Sequence, residues 1–467
     1  MCERESAENS MEILSETEIH SETEIHSETE NAQSPDWGNL PWTVLSRVFH
    51  FLDDKTRCRA AITNKHWREV FKTPRLWRRR HFRLYGNFRD HRALRYARSV
   101  GRFLRSGHLT CGLHSDRFAK RFQKSLTSYL NHLFLQRVQL QEFSITRLEF
   151  NRYFRDAVVR SRVRKSLVRF LRFQRKVKFV DMTSAWTSEN DGNSILDAVA
   201  RQCHASVTHL HLEDFFASHM PIYLSQEFTL TMSKFSNLRV LNLNYNCVSN
   251  SLLLSLAENC GHSLKTFNIK CFKEDPHSQD IWRSSWGELR DSCHNLNTMC
   301  VCFDGITSYS ALRGILSPAI PLTHLEVYGE NEEDTFQPDQ IMQHLATNFS
   351  KTLREVFFDA QPFSWDIDQG VVHLVKNCPQ LIKLEFKAMV VNLYAIDEVL
   401  RNLKHRLEST KEPNPRLEVF RLILNNMPVS YYEQMADVFK QYQDYFNNSH
   451  IDCHMQGFVN GMPVIHI

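Results

Sequence analysis

An apolar spacing that recurs every 26 to 37 residues constrains this chain more than any other feature. The pattern apolar-x-x-apolar-x-apolar begins at Leu140, Val177, Val207, Leu238, Leu264, Leu296, Leu322, Leu353, Leu381 and Leu417. Such a series reads as a solenoid, because one short unit cannot bury its apolar face alone and a stack of them can. Positions four and six alternate with the period of a strand, and with position one they point inward. The intervening stretches suit helices, as in Ser251 to Glu258 with Leu252, Leu253 and Leu256. The expected architecture is α/β: a parallel sheet on a concave wall with helices outside, over residues 136–450, and a C-terminal cap over 451–467.

Length supports this reading. A single hydrophobic core stops growing near roughly 250 to 300 residues, and this chain has 467. Its composition, 42% hydrophobic and 24% charged, is globular. No run approaches the ~18 consecutive apolar residues of a membrane span, so no membrane association is expected. The N-terminus lacks the basic-then-apolar order of a secretory signal, so the 12 cysteines are expected to stay reduced, in the cytoplasm, the nucleus or both.

Charge is unevenly distributed. Met1 to Asp54 holds 2 basic and 13 acidic residues, Lys55 to Lys178 holds 34 and 6, and the remainder 21 and 34. The first block contains SETEIH SETEIH SETE from Ser15 to Glu30, too poor in apolar residues to offset the entropy of ordering it. Residues 1–35 are therefore expected to be a disordered acidic tail. The basic block implies an acidic neighbour, whether protein, phosphorylated ligand or nucleic acid.

Cys203, Cys260, Cys293 and Cys378 each stand three or four residues ahead of a first core position. A small buried residue at a helix-to-strand corner explains that placement. A metal site does not, since successive repeats put these thiols in separate layers and no C-x-x-C pair occurs. No metal and no cofactor are expected. The chain also lacks G-x-G-x-x-G, G-x-x-x-x-G-K and H-E-x-x-H, and two histidines on one strand, His209 and His211, do not make a catalytic site. An enzyme is the poorest reading.

Order begins after Ser34-Pro35-Asp36, where Leu40-Pro41 opens a helical pattern over residues 36–82. Leu45, Val48, Phe49 and Leu52 are spaced to share one helix face. Asp53-Asp54 starts a second helix, and Trp67 and Val70 a third, before Pro74 introduces Leu76-Trp77. Three short helices bury little by themselves, so some of their apolar residues are expected to meet a partner. Residues 83–135 would be a basic helical connector or atypical first repeats.

Leu40-Pro41, Leu45, Val48-Phe49, Leu52, Asp54, Arg57, Ala61, Trp67-Arg68 and Leu76-Trp77 match the F-box pattern in order and spacing. LRVLNLNYN, from Leu238 to Asn246, matches the leucine-rich-repeat form with Asn246 at its asparagine position. The chain thus resembles the F-box and leucine-rich-repeat group, departing from the usual pattern at Ile62 to His66. The resemblance implies a non-catalytic substrate receptor of a Skp–cullin–F-box ubiquitin ligase. It would dock the Skp adaptor, and through it a cullin and a RING subunit, while the repeats hold an unknown target protein. Carried over as Skp contacts are Leu40, Pro41, Leu45, Val48, Phe49, Leu52, Trp67, Leu76 and Trp77.

Target contacts follow from strand alternation, since positions three, five and seven of each motif face the concave side. Asn242, Asn244, Asn268, Tyr328 and Phe357 are the leading candidates, because aromatic and amide side chains on a rigid wall suit contact hot spots. The alternative class is a nucleic-acid or polyanion-binding scaffold using the basic block 55–178, whose aromatics Tyr153, Phe154, Phe170, Phe173 and Phe179 interleave with arginines.

Overall fold

The computed structural model describes residues 37–305, 309–330, 337–361, 368–387, 392–408, 418–425, 429–448, 452–459 and 462–466. The chain divides into two compact units, Met1–Arg80 and His81–Ile467. The SETEIH tail and the motif position Leu417 lie outside the described residues.

In the first unit, helices α1 (Trp42–Phe51), α2 (Asp54–Thr63) and α3 (Lys65–Phe71) are followed by a 3-10 turn, Pro74–Trp77. Capping residues set their boundaries. The Asp53 carboxylate accepts the Thr56 N–H at 2.7 Å to open α2, and the Asn64 side chain accepts the His66 N–H at 2.7 Å to open α3. Leu45, Phe49, Val70, Leu76 and Trp77 close the core, none more than 5% exposed.

The second unit is organised by one sheet: β1 (Arg79–Leu84), β2 (Ser106–Cys111), β3 (Glu142–Thr146), β4 (Phe179–Asp181), β5 (His209–His211), β6 (Val240–Asn244), β7 (Thr266–Phe272), β8 (Thr298–Asp304), β9 (His324–Glu330), β10 (Glu355–Gln361), β11 (Lys383–Lys387), β12 (Val419–Asn425), β13 (Asp452–Val459) and β14 (Met462–His466). Sheet order follows chain order throughout. Pairings from β2 to β13 are parallel, and β14 turns back antiparallel on β13. This is a repeat solenoid.

Register explains why the motif repeats. Val180, Leu210, Leu241, Phe267 and Met299, the fourth positions of successive units, are direct partners across β4 to β8. They form one continuous apolar row, each fully or almost fully buried. Residues on either side of them in β7 and β8 are only half-buried, the alternation of a strand with one covered face. Among the described residues the first positions are buried as well, except Leu296, which is half-buried and for which the structure offers no reason.

Helices return the chain between strands: α4 (His91–Ser99), α5 (Ala119–Leu135), α6 (Phe150–Tyr153), α7 (Ala157–Phe173), α8 (Glu189–Cys203), α9 (Gln226–Met232), α10 (Asn250–Cys260) and α11 (Arg283–Ser292), with others beyond. Side-chain oxygens of Asp156, Ser188, Ser225 and Ser249 cap α7 to α10. The four corner cysteines are buried, and the thiols of two of them tie repeats together. Cys203 Sγ donates to Gln174 O at 3.2 Å, and Cys260 Sγ to Phe235 O at 3.0 Å, each in the preceding repeat. Asn246, 2% exposed, ties its repeat in the same way by donating to Met220 O at 3.1 Å.

Residues 83–135 hold α4, β2 and α5, a strand–helix unit in register with the next. Leu109 pairs with Ile145, and Gly107 pairs with Phe143 at the fourth core position. A Cβ on Gly107 would come within 3.3 Å of Leu104 Cδ2, so the site that carries a large apolar residue elsewhere is already filled. At the other end β13 continues the core with Met455, fully buried beside Leu422.

Candidate functional site

Two surfaces carry the residues singled out above. On the three-helix unit, the expected common face of α1 divides. At about 100° per residue, Val48 lies roughly 100° from Phe49 and falls on one stripe with Val44 and Phe51. Those three are exposed (Val48 39%, Val44 46%, Phe51 81%), whereas Leu45 and Phe49 are fully buried. Leu45, Phe49, Leu76 and Trp77 therefore form the unit's own core instead of offering a surface. Leu40, Leu52 and Trp67 are half-buried, and Pro41 is exposed. Trp42 and Ile62, 45% and 52% exposed, extend the apolar surface and were missed, as were Val44 and Phe51. The signal was present in α1 as a second apolar stripe beside the core stripe.

Local bonds hold this surface in place. Arg57, only 7% exposed, donates from Nε to Phe49 O at 2.6 Å, beside the Leu52 N–H that the same carbonyl accepts, and from Nη2 to His50 O at 3.0 Å, so it seals the end of α1. Its Nη1 reaches Asp54 Oδ1 at 3.1 Å. The segment before α1 is strapped to α3, since Trp67 Nε1 donates to Trp37 O at 3.2 Å and His66 Nε2 lies 2.9 Å from Leu40 O. Leu40 and Pro41 are thereby fixed beside the helix they precede.

On the concave wall, the candidates separate into an occupied set and an available set. Asn242 and Asn244 are 8% and 5% exposed, so little of either faces a partner. Neighbouring repeats use their amides. Asn242 Nδ2 donates to Glu213 Oε1 at 3.0 Å, and its Oδ1 accepts from Asn268 Nδ2 at 3.3 Å. Asn244 Nδ2 donates to Asp214 Oδ1 and Asp275 Oδ2 at 3.0 and 2.8 Å, while its Oδ1 accepts the Asp214 N–H at 2.7 Å. Lys270 Nζ sits 2.9 Å from both Asp214 and Asp304. Burial alone would lower its pKa, but the two carboxylates outweigh that and raise it well above the lysine range. Burial pushes Asp275 up to about 6 despite the Asn244 bond.

Tyr328 and Phe357 remain available, while Asn268, half-buried, already gives its Nδ2 to Asn242. Tyr328 is 39% exposed and its ring centroid lies 5.2 Å from that of Phe357, which is half-buried. Lys387 Nζ lies 5.7 Å from the Phe357 centroid and 2.9 Å from Asp359. A depression of about 440 Å³ opens beside Tyr328, lined among others by Glu213, Asn268, Cys300, Cys302 and Glu326. Burial, then Glu326, pushes the Cys300 thiol up to about 12, so it is a neutral lining group.

The second candidate segment, Asp275 to Trp286, divides too. Trp286 is buried on α11, while Trp282 caps that helix and is 58% exposed. In the basic block, Tyr153, Phe154 and Phe170 are buried in the core and present no stacking face. Arg160 and Arg164 are paired with Asp191. Arg162, Lys165, Arg169 and Arg172 form an exposed row along α7. Among the described residues, no group of three or more metal-ligating side chains occurs, and no helix is long and apolar enough to cross a membrane.

Residues 37–83 match the F-box-like family model. Over 49 residues the chain is 47% identical to F-box/LRR-repeat protein 21 of Bos taurus and 43% identical to the Mus musculus protein of that name. Each alignment takes in 10% of this chain and 11% of the relative, so only about a tenth of the length of these curated relatives is matched. A chain from the crystal structure of the Rad7 and Elc1 complex in yeast aligns with a TM-score of 0.37 at 12% identity, covering 82% of this chain and 88% of that one. The first unit is an F-box-like module. In the chain it is followed by the repeat solenoid of the second unit.

Proposed function

We propose that this protein is the substrate-recognition subunit of a Skp–cullin–F-box ubiquitin ligase. The F-box would dock the Skp adaptor, the adaptor would carry the cullin and RING subunit, and the solenoid would present a target protein. The chain would act by placing its target near ubiquitin-loaded enzyme and perform no chemistry itself. The exposed stripe Val44, Val48 and Phe51, with Pro41 and Trp42 exposed at the start of the same helix, is the observation that carries this reading. So small a unit does not leave large apolar side chains in water without a covering partner.

Leu40, Pro41, Val44, Val48 and Phe51 are accordingly the proposed adaptor contacts, with Leu52 and Trp67 at their margin. Tyr328, Phe357 and Asn268 are the proposed target contacts, held in place by the Asn242 and Asn244 bonds. Action in the cytoplasm or nucleus, with reduced cysteines, goes with this reading. A finer kinship, to F-box only protein 39, is proposed from Leu212-Glu213-Asp214, Leu241 to Cys247, Ile269-Lys270-Cys271 and Asp275-Pro276-His277, over Trp37 to about residue 300.

The test is co-purification with purified Skp adaptor. Val44→Glu with Val48→Glu, and separately Leu40→Ala with Pro41→Ala, should abolish capture while circular dichroism stays unchanged. Undiminished capture by both double variants would sink the docking assignment.

A further inference from the structure

At β4, β6 and β7 the residue just before the strand is exposed, and at β5 it is half-buried. For β4 to β7 these residues are Lys178, Thr208, Arg239 and Lys265. Backbone bonds hold them in adjacent rungs. The Thr208 N–H donates to Lys178 O at 2.8 Å, the Arg239 N–H to Thr208 O at 2.7 Å and the Lys265 N–H to Arg239 O at 2.9 Å. With strands about 4.8 Å apart, the backbones of Lys178 and Lys265 stand roughly 14 Å apart, close enough for the three long side chains to converge on one ligand.

They border a groove of about 420 Å³, completed by Ser206, His262 and Ser263 among others. No carboxylate and no Phe, Tyr or Trp lines it. The neutral polar groups are already engaged. Ser206 Oγ donates to Val177 O at 2.7 Å, Ser263 Oγ to Leu238 O at 2.8 Å and Asn237 Nδ2 to Ala205 O at 2.8 Å. Lys178, Arg239 and Lys265 make no ion pair and no side-chain hydrogen bond among the described residues. Lys270 on β7 differs, with a carboxylate on each side.

Three permanent cations on a fixed wall, with no counter-charge, attract an anion that offers several acceptors at one point. A phosphoryl group carries about −1.5 to −2 charge and three acceptor oxygens. We infer that this groove binds the phosphoryl group of a phosphorylated peptide segment. The identification of that segment as part of the target rests on the receptor reading above. A nucleic-acid strand fits less well, because the groove spans only four strands and its lining offers a single imidazole, His262, where a run of bases needs several stacking faces.

The test uses the full chain co-purified with Skp adaptor. The probes are fluorescent degenerate peptide pools with a fixed central phosphoserine, serine or glutamate, read by anisotropy at physiological salt. The phosphoserine pool should bind at least about tenfold more tightly than the other two, the scale of one or two charge-assisted hydrogen bonds. Arg239→Glu with Lys265→Glu should remove that preference. Arg169→Glu with Arg172→Glu, the same charge change on α7, should leave it intact. The milder Arg239→Gln with Lys265→Gln replaces the reversal variant if that one misfolds. Equal binding of the phosphoserine and glutamate or serine pools, or equal loss in the α7 variant, overturns the inference. So does selective competition by single-stranded DNA of matched charge with no competition by unlabelled phosphopeptide. Adaptor capture is scored on the same samples. Its failure in the wild type counts against the receptor reading alone, and loss of phosphopeptide preference with adaptor bound counts against the groove alone.

Discussion

Asp275 gives a test of the concave network with a sign fixed by the structure. The carboxylate is 6% exposed and accepts from Asn244 Nδ2 at 2.8 Å, and burial raises its pKa from 3.8 to about 6. An unfolded chain releases this proton near 3.8. Between these two values the folded state binds more protons, so the contribution to stability falls as pH rises and is lost above about 6. The full difference is about 3 kcal/mol at 1.36 kcal/mol per unit. Between pH 7.5 and pH 5, titration of this one group should return about 1.4 kcal/mol to the wild type, close to tenfold in an opening equilibrium. Asp275→Asn keeps an acceptor for Asn244 but cannot take up the proton, so the variant should lack that increment.

Repeat arrays open locally, so the assay should read the segment instead of the whole chain. Hydrogen exchange of peptides covering β7 and residues 273–286, wild type against Asp275→Asn at both pH values, cancels intrinsic exchange rates. Protection in the wild type relative to the variant should rise about tenfold on going to pH 5. An unchanged ratio, or one that falls, would show that Asp275 is ionised and comfortable in the fold, and the account of this network would be wrong.

Two further outcomes are expected. Arg57→Met removes the bonds to Phe49 O and His50 O. It should destabilise the F-box by about 2 to 4 kcal/mol and weaken adaptor capture without altering any exposed apolar residue, as read by urea titration of the isolated module bound to adaptor against the full chain. Tyr328→Ala with Phe357→Ala should cut target degradation sharply, because aromatic contacts at the centre of an interface carry most of its energy. Cycloheximide-chase half-lives of proteins co-purifying with the wild type would check this, and unchanged half-lives would place the target elsewhere.

The solenoid was legible because its determinant is local. A core position recurs whenever a unit must stack on the next, and Leu241, Leu243 and their equivalents read directly as strand. Where a unit fills that position from a neighbour, the signal disappears, as at Gly107, whose space is taken by Leu104. The F-box was legible as a pattern but not as a division between core and surface, because Val48 and Phe49 are equally apolar and only their roughly 100° offset separates them. Asn242 and Asn244 looked like open contact residues because strand alternation gives the face of a side chain and not its partners. Their partners, Glu213, Asp214 and Asp275, come from other repeats.

That distinction bears on where recognition can occur in a repeat array. Between β5 and β8 the concave side chains bond to one another across strands, and a partner would have to break Asn244 from Asp214 and Asp275, or Lys270 from its two carboxylates, to use them. Such a network holds neighbouring strands' side chains to one another and discourages contact. Capacity for contact lies at Tyr328, which bonds within its own strand to Glu326 Oε2 at 3.3 Å and stays exposed beside its depression, and at the strand-entry rim, where Lys178, Arg239 and Lys265 face a groove without a carboxylate. Lys178, Arg239 and Lys265, at position two of their motifs, are exposed, so cations there are not needed for packing. Three of them on four adjacent rungs, unpaired, cost electrostatic repulsion in the free protein that an incoming anion would relieve, and their removal should therefore weaken binding while leaving stability unchanged or slightly improved.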